Sequence, residues 1–237
     1  MSVSISKILR TEIVYPDSDG KPMADNTLQI RWIVTIKEGM ERVYRNRPDV
    51  FVAGDLLWYP VEGRPDICAA PDTLVAIGRP KGERCSYKQW VENGVAPQVV
   101  FEVLSPNNRV SEMERKLEFY DRYGVEEYYI YDPDDIELFG RKRIGGDLKR
   151  IPSMDNWTSP IIQVRFDMSG PEFKLFGPDG SPFLTYQEIA EENDRLVREN
   201  GEAERERDEL AREREIEHRR AERMAAQLRA MGIEPIE

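Results

Sequence analysis

The stretch from Val99 to Tyr120, VVFEVLSPNNRVSEMERKLEFY, constrains the fold most, because it fixes a strand, a break and a helix in immediate succession. Val99 to Leu104 is apolar apart from Glu102 and reads as a buried strand. Ser105-Pro106-Asn107-Asn108 breaks it. Ser111 and Glu114 then form a Ser-x-x-Glu capping box, which predicts the start of a helix. At about 100° per residue, Met113, Leu117, Phe119, Tyr120 and Tyr123 gather on one face, and Lys116 falls between Phe119 and Tyr120. A carboxylate on a buried strand and an ammonium on the covering face of the next helix are costly unless they share a polar site. Glu102 and Lys116 are therefore the first candidate functional residues.

Composition limits the chemistry around them. The 237 residues include two cysteines, Cys68 and Cys85, and one histidine, His218, which lies in a charged C-terminal segment. That excludes Ser-His-Asp, Cys-His and histidine-ligated metal chemistry, leaving carboxylates, lysine, hydroxyls and a hard cation. Two isolated cysteines read as reduced thiols. The apolar runs are strand-sized and the N-terminus lacks a secretory pattern, so the expectation is a cytoplasmic protein without a membrane partner. A net charge of −11 argues against general nucleic-acid binding but leaves room for a local basic groove.

A short strand is expected near Ile8 to Tyr15, followed by a turn. Helical spacing of Leu28, Trp32, Ile33, Ile36, Met40, Val43 and Tyr44 predicts a helix from Asn26 to about Asn46, ended by Pro48. Strands are predicted over Val50 to Trp58, Thr73 to Ile77, Val99 to Leu104 and Glu127 to Tyr131. A meander follows over Ile136 to Arg141, Leu148 to Ile151, Ile161 to Phe166 and Glu172 to Phe176, with Gly-Gly among its turn signals. Helix, strands, covering helix and more strands indicate an α/β or α+β domain around a mixed sheet. Between Arg79 and Pro97, the loop residues Lys81, Arg84 and Lys88 alternate with Tyr87 and Trp90. Cations and rings in that order suit a nucleic-acid-binding lip, and equally a solvated loop with two aromatic anchors.

The composition changes near Tyr186. Gln187 to Glu237 carries 16 acidic and 10 basic residues, with no proline before Pro235, and is expected to be one long helix. The division is thus a domain over 1–185 and a charged tail over 186–237. At a 3.5-residue repeat only the seam Ile189, Leu196, Ala203, Leu210, Glu217, Met224, Met231 is mostly apolar, and Gly201 interrupts the helix. A weak coiled coil that associates with a second copy and a solvated helix held by Glu/Arg pairs both fit.

Asp72, in Ala70-Pro71-Asp72-Thr73, sits at the mouth of an apolar strand. Paired with Glu102 on a neighbouring strand it forms a repulsive carboxylate pair, for which Mg²⁺ is the natural occupant. A lysine beside that ion can orient water and offset charge on a phosphoryl transition state.

These residues carry a family resemblance. APD at 70–72, FEVLSP at 101–106 and RKLEFYDRYGVEEYYIYDP at 115–133 resemble the Uma-type putative restriction endonuclease family, a branch of the PD-(D/E)XK nuclease superfamily. The similarity extends over roughly residues 20 to 180, including Phe51 to Leu57 and the loop GRPKGERCSYKQW, and the arginine- and glutamate-rich tail beyond it also resembles tails of the family. It implies a restriction-endonuclease-like core, a mixed central sheet flanked by helices, and phosphodiester hydrolysis dependent on Mg²⁺ or Mn²⁺, with DNA as substrate. The implied catalytic residues are Asp72, Glu102 and Lys116, with the metal on Asp72 and Glu102.

Supporting positions follow from the same likeness. The superfamily's lysine stands two residues after the acid, where this chain has Leu104, so Lys116 is expected to supply the ammonium from its helix. Relatives carry an acid and a histidine at the start of the first long helix. Here Asp25 keeps the acid and the histidine is replaced by Gln29, whose amide can hydrogen-bond but cannot shuttle protons near neutrality. Ser105 is expected to orient the site or to form the turn before Pro106. Asp55, in Gly54-Asp55-Leu56, is expected to line the same cleft, and Arg109 joins Lys81, Arg84 and Lys88 as a candidate nucleic-acid contact. Leu104, Gln29 and the acidic charge also admit an alternative, a catalytically inactive nuclease fold serving as a scaffold or interaction module that assembles through its C-terminal helix; a homo-oligomer, a dimer, through the core or that helix is expected on either reading.

Overall fold

A computed structural model describes residues 13–232, apart from 19, 21 and 109. The chain divides into two compact units, Met1–Thr185 and Tyr186–Glu237. In the first, helix α1 (Thr27–Val43) is followed by β1 (Val50–Ala53), β2 (Trp58–Tyr59), β3 (Thr73–Ile77), β4 (Tyr87–Lys88) and β5 (Val99–Val103). Then come α2 (Val110–Tyr123), β6 (Glu127–Asp132), β7 (Glu137–Ile144), β8 (Asp147–Arg150), β9 (Arg165–Asp167) and β10 (Lys174–Phe176).

Six strands form one mixed sheet in the order β1-β3-β5-β6-β7-β8. Within this sheet β5 and β6 are the one parallel pair, and the connection between them is α2, as a parallel pair requires a crossover. Its helices and mixed sheet give the α/β class expected from the pattern of elements. On one face, Trp32, Ile33, Ile36 and Met40 of α1 pack with Val75, Phe101, Tyr129 and Phe166. The other face buries Phe51, Leu74, Val100 and Tyr128 against Trp58 of β2 and Tyr120 of α2. Gly39 lets α1 approach Phe183, since a Cβ there would stand 2.0 Å from its ring.

Several boundaries differ from those read in the sequence. The expected strand near Ile8 falls mostly outside the described residues, and residues 13–15 are not in a strand. Val50 to Trp58 is two strands, split where Asp55 takes φ 47°. Tyr87–Lys88 lies in the expected loop yet pairs in parallel with Trp58–Tyr59. Helix α2 already includes Val110, so Ser111 stands inside its first turn and is not the cap. The turn ahead of it is closed instead by Ser105 and Asn108: the Asn108 N–H donates to the Ser105 carbonyl, and the Ser105 N–H to Asn108 Oδ1.

The second unit contains α3 (Tyr186–Ala230), a continuous helix in which no residue is buried and through which Gly201 passes without a break. Glu192–Arg195 and Glu215–Arg219 ion pairs support it at helical spacing. No helix among the described residues is long and apolar enough to cross a membrane.

Candidate active site

The site grows from the place where the sheet's hydrogen-bond ladder stops. β3 starts at Thr73, which pairs with Phe101, so the backbone of Val103 extends past its neighbour on that edge. Buried backbone groups left this way need other partners. The Val103 N–H donates to Asp72 Oδ2 at 2.6 Å, and the Val103 carbonyl accepts from Gln29 Nε2 at 2.8 Å. Two side chains thus complete the end of β5, one from the residue before β3 and one from α1.

Glu102 points to the opposite side of β5 from Val103 and Phe101, toward α2. It is 2 % exposed, and both its oxygens are held: Lys116 Nζ donates to Oε2 at 2.7 Å and the Tyr120 hydroxyl donates to Oε1 at 2.5 Å. Lys116 and Tyr120 are four residues apart on α2, so they reach the same strand position from successive turns. This answers the cost posed by a buried acid and an inward-facing lysine: they form one ion pair. In the sequence Tyr120 reads only as part of an apolar face. Its spacing from Lys116 is the available signal for a second contact to Glu102.

Burial, followed by the neighbouring Glu102, raises the Asp72 carboxyl well above its ordinary range, with Lys116 and the Val103 N–H offsetting part of the rise. Burial would lower the Lys116 ammonium, but Glu102 and Asp72 outweigh it and raise the group above lysine's usual value. The Tyr120 hydroxyl is pushed well up by burial and then by Glu102, so it stays a proton donor.

Asp25, Gln29, Asp55, Asp72, Glu102 and Lys116 all line one cleft of about 590 Å³. Leu104 lines it too, beside rather than in place of the ammonium. Gln29 is tied at both ends: its Oε1 accepts from the Asp25 N–H at 2.8 Å while its Nε2 holds Val103. A simultaneous donor and acceptor is what this position uses, and an amide provides both without titrating. Ser105 lies behind the wall, its hydroxyl donating to Asp25 Oδ2 at 2.6 Å.

The loop cations do not line the cleft. Arg84 and Arg79 both bind buried Glu92, at 2.7 and 2.8 Å, and Arg84 stacks 3.8 Å from the Phe51 ring centre. Lys81 pairs with Glu41 at 3.2 Å and Lys88 lies over Tyr15. Arg109 falls outside the described residues.

A profile of the Uma2 family, described as "Putative restriction endonuclease", matches residues 20–166. The chain belongs to the Uma2 family. The Uma2 match contains every residue lining the cleft and stops short of α3. Among solved structures, the chain is similar to a putative nuclease belonging to DUF820 from Anabaena variabilis, at 16 % identity and a TM-score of 0.47, over 62 % of this chain and 81 % of that one. No curated protein matches the chain.

Membership in Uma2 implies a divalent metal, and the donor set fits one. Asp72 and Glu102 are hard oxygen donors close enough for Glu102 to raise Asp72, and one ammonium does not balance them. No group of three or more His, Cys, Asp or Glu side chains able to hold a metal occurs among the described residues. Two carboxylates, with water and phosphate oxygens for the remaining positions, suit a hard divalent cation that keeps several waters better than one needing an all-protein cage.

Proposed function

We propose that the chain is a divalent-metal-dependent endonuclease that hydrolyses phosphodiester bonds in DNA, with Asp72, Glu102 and Lys116 as its catalytic residues. One observation carries the reading: Lys116 reaches across from α2 to within 2.7 Å of Glu102 in the cleft that Asp72 also lines. The ammonium of a PD-(D/E)XK-like site is therefore available although Leu104 occupies the usual lysine position.

Asp72 and Glu102 would hold Mg²⁺ or Mn²⁺. When bound, such an ion polarises a phosphoryl oxygen and lowers the pKa of a coordinated water. Lys116 keeps its proton and sets a positive charge beside the scissile phosphate, where negative charge grows in the transition state. Tyr120 keeps its proton and fixes the Glu102 carboxylate. Gln29 fixes the end of β5 without exchanging a proton. The cleft's other walls include Met113 and Phe119, apolar surface on which a base can rest.

A nicking assay on supercoiled plasmid with Mg²⁺ or Mn²⁺ tests the proposal. Cleavage should be abolished by Asp72→Ala and Glu102→Ala, and reduced at least 100-fold by Lys116→Ala, as expected for loss of a charged transition-state contact. Cleavage unchanged in all three would sink it. The scaffold reading draws on a different observation, that both oxygens of Glu102 already have protein donors. Calorimetry with Mn²⁺ separates the two: heat that disappears in Asp72→Ala and Glu102→Ala supports the nuclease, and no heat in the wild type supports the scaffold.

A further inference from the structure

The hairpin of β7 and β8 places cations opposite one another. Gly145 and Gly146, with φ 64° and 102°, make a two-residue turn, and the pairing Ile144↔Asp147 fixes every pair behind it. The register brings Lys142 against Lys149 and Arg141 against Arg150. Like charges directly opposite on antiparallel strands are unfavourable, and here two such pairs are consecutive. Arg143 is neutralised by Asp121 and Glu126. None of the other four makes an ion pair among the described residues, in a segment with five cations and two acids between Glu137 and Arg150.

Strand alternation divides the two pairs between the faces of the sheet. Lys142 turns to the α1 side, where it lies over Trp157. Arg141 and Arg150 turn to the α2 side, the side of Glu102. There they line a depression of about 160 Å³ with Phe139, Ile130 and Tyr128. The Tyr128 hydroxyl is fully buried beneath it and has no hydrogen-bond partner among the described residues. Two guanidinium groups without a carboxylate partner at one depression match an anion with several acceptor oxygens.

The location ties this depression to the cleft. Glu102 pairs with Ile130, which pairs with Phe139, and Arg141 follows two residues along β7. With strands about 4.8 Å apart and about 3.3 Å per residue, Arg141 stands roughly 12 Å from Glu102. That is about three to four nucleotides at roughly 3.4 Å per strand.

We infer that Arg141 and Arg150 of the β7–β8 hairpin grip the phosphate backbone of the nucleic acid a few nucleotides from the bond that is cut. The inference rests on the nuclease reading for its partner, but not on any of the three catalytic residues. Its chemistry is sequence-independent: guanidinium groups neutralise phosphates and release counterions. An acidic chain that binds a polyanion needs such a local cationic surface.

The test is fluorescence anisotropy with a labelled 30-base-pair DNA duplex, in EDTA, over a series of salt concentrations. Relative to the wild type, Arg141→Gln/Arg150→Gln should weaken binding at least 10-fold at low salt. It should also lower the slope of log affinity against log salt by about 2, near 0.9 for each phosphate no longer neutralised. Its thermal midpoint should equal or exceed the wild type's, because a repulsive pair has been removed. Arg141→Lys/Arg150→Lys should recover most of the slope. A wild type that binds no duplex, a double Gln variant with unchanged affinity and slope, or one that melts several degrees lower would each overturn the inference. Unchanged affinity with plasmid still nicked by the wild type leaves the nuclease reading standing. Hairpin-dependent binding without any nicking leaves the hairpin standing and removes the nuclease.

Discussion

Tyr120→Phe isolates one oxygen atom. The ring would remain, stacked 6.3 Å from Trp58 and edge-on 5.0 Å from Tyr128, so packing hardly changes. What disappears is the donor 2.5 Å from Glu102 Oε1. Tyr120 is fully buried and Glu102 is 2 % exposed, so bulk water cannot take the donor's place. A hydrogen bond to a charged group contributes about 1.5–3 kcal/mol, and the orphaned oxygen keeps its desolvation cost. Because Lys116 still holds Oε2, the expected loss lies near the middle, about 2 kcal/mol. For a unit of this size that is a fall of about 4–8 °C in thermal midpoint. Urea denaturation gives the free energy directly, and Tyr128→Phe supplies the internal control. Its hydroxyl is equally buried but has no partner among the described residues, so its removal should be neutral or stabilising. If the two phenylalanine variants agree within about 0.5 kcal/mol, the oxygen-by-oxygen account of Glu102 is wrong.

Two further outcomes concern the other face of the sheet. Glu127 is buried there with Oε2 accepting from Tyr129 and Ser159 and with Oε1 unpaired among the described residues. Burial raises its carboxyl above the ordinary 4.5, against the opposing pull of those hydroxyls. The native state therefore keeps a proton that the unfolded chain has lost, so this contribution is full below pH 4.5 and disappears as pH rises through the folded value. Glu127→Gln should remove that slope: urea midpoints of the two proteins should diverge in favour of the variant as pH rises from 4.5, and a pH-independent difference would refute it. Gly39→Ala should destabilise, although alanine normally gains about 1 kcal/mol inside a helix. The added methyl would stand 2.0 Å from Phe183, and overpacking costs about 1–3 kcal/mol, so an increase in urea midpoint would refute the close approach.

Much of this architecture is legible because local pattern and burial agree. Thr73–Ile77 and Val99–Val103 are apolar runs bounded by turn residues, and they are strands as read. The expensive pairing of Glu102 with Lys116 is visible as a conflict between charge and face. Elements that depend on distant partners are not visible: Tyr87–Lys88 is a strand only because Trp58–Tyr59 lies beside it, and Arg84 reads as a surface cation until Glu92 and Phe51 enclose it. The start of α2 differs from its expected place because a capping box describes side chains, whereas the Ser105–Asn108 turn decides where the chain enters the helix.

The like-charge hairpin belongs to a third kind, legible in principle but masked by composition. Gly145-Gly146 is recognisable as a turn, and a two-residue turn determines the register of both strands. Counting outward from it pairs Arg141 with Arg150 before any coordinates are known. A net charge of −11 hides this, since it directs attention away from phosphate binding. The acidic excess is concentrated in Gln187 to Glu237, whereas the unpaired arginines and the catalytic candidates share one sheet face. Where charges sit on the sheet, rather than how many there are, is what makes a nucleic-acid substrate compatible with this sequence.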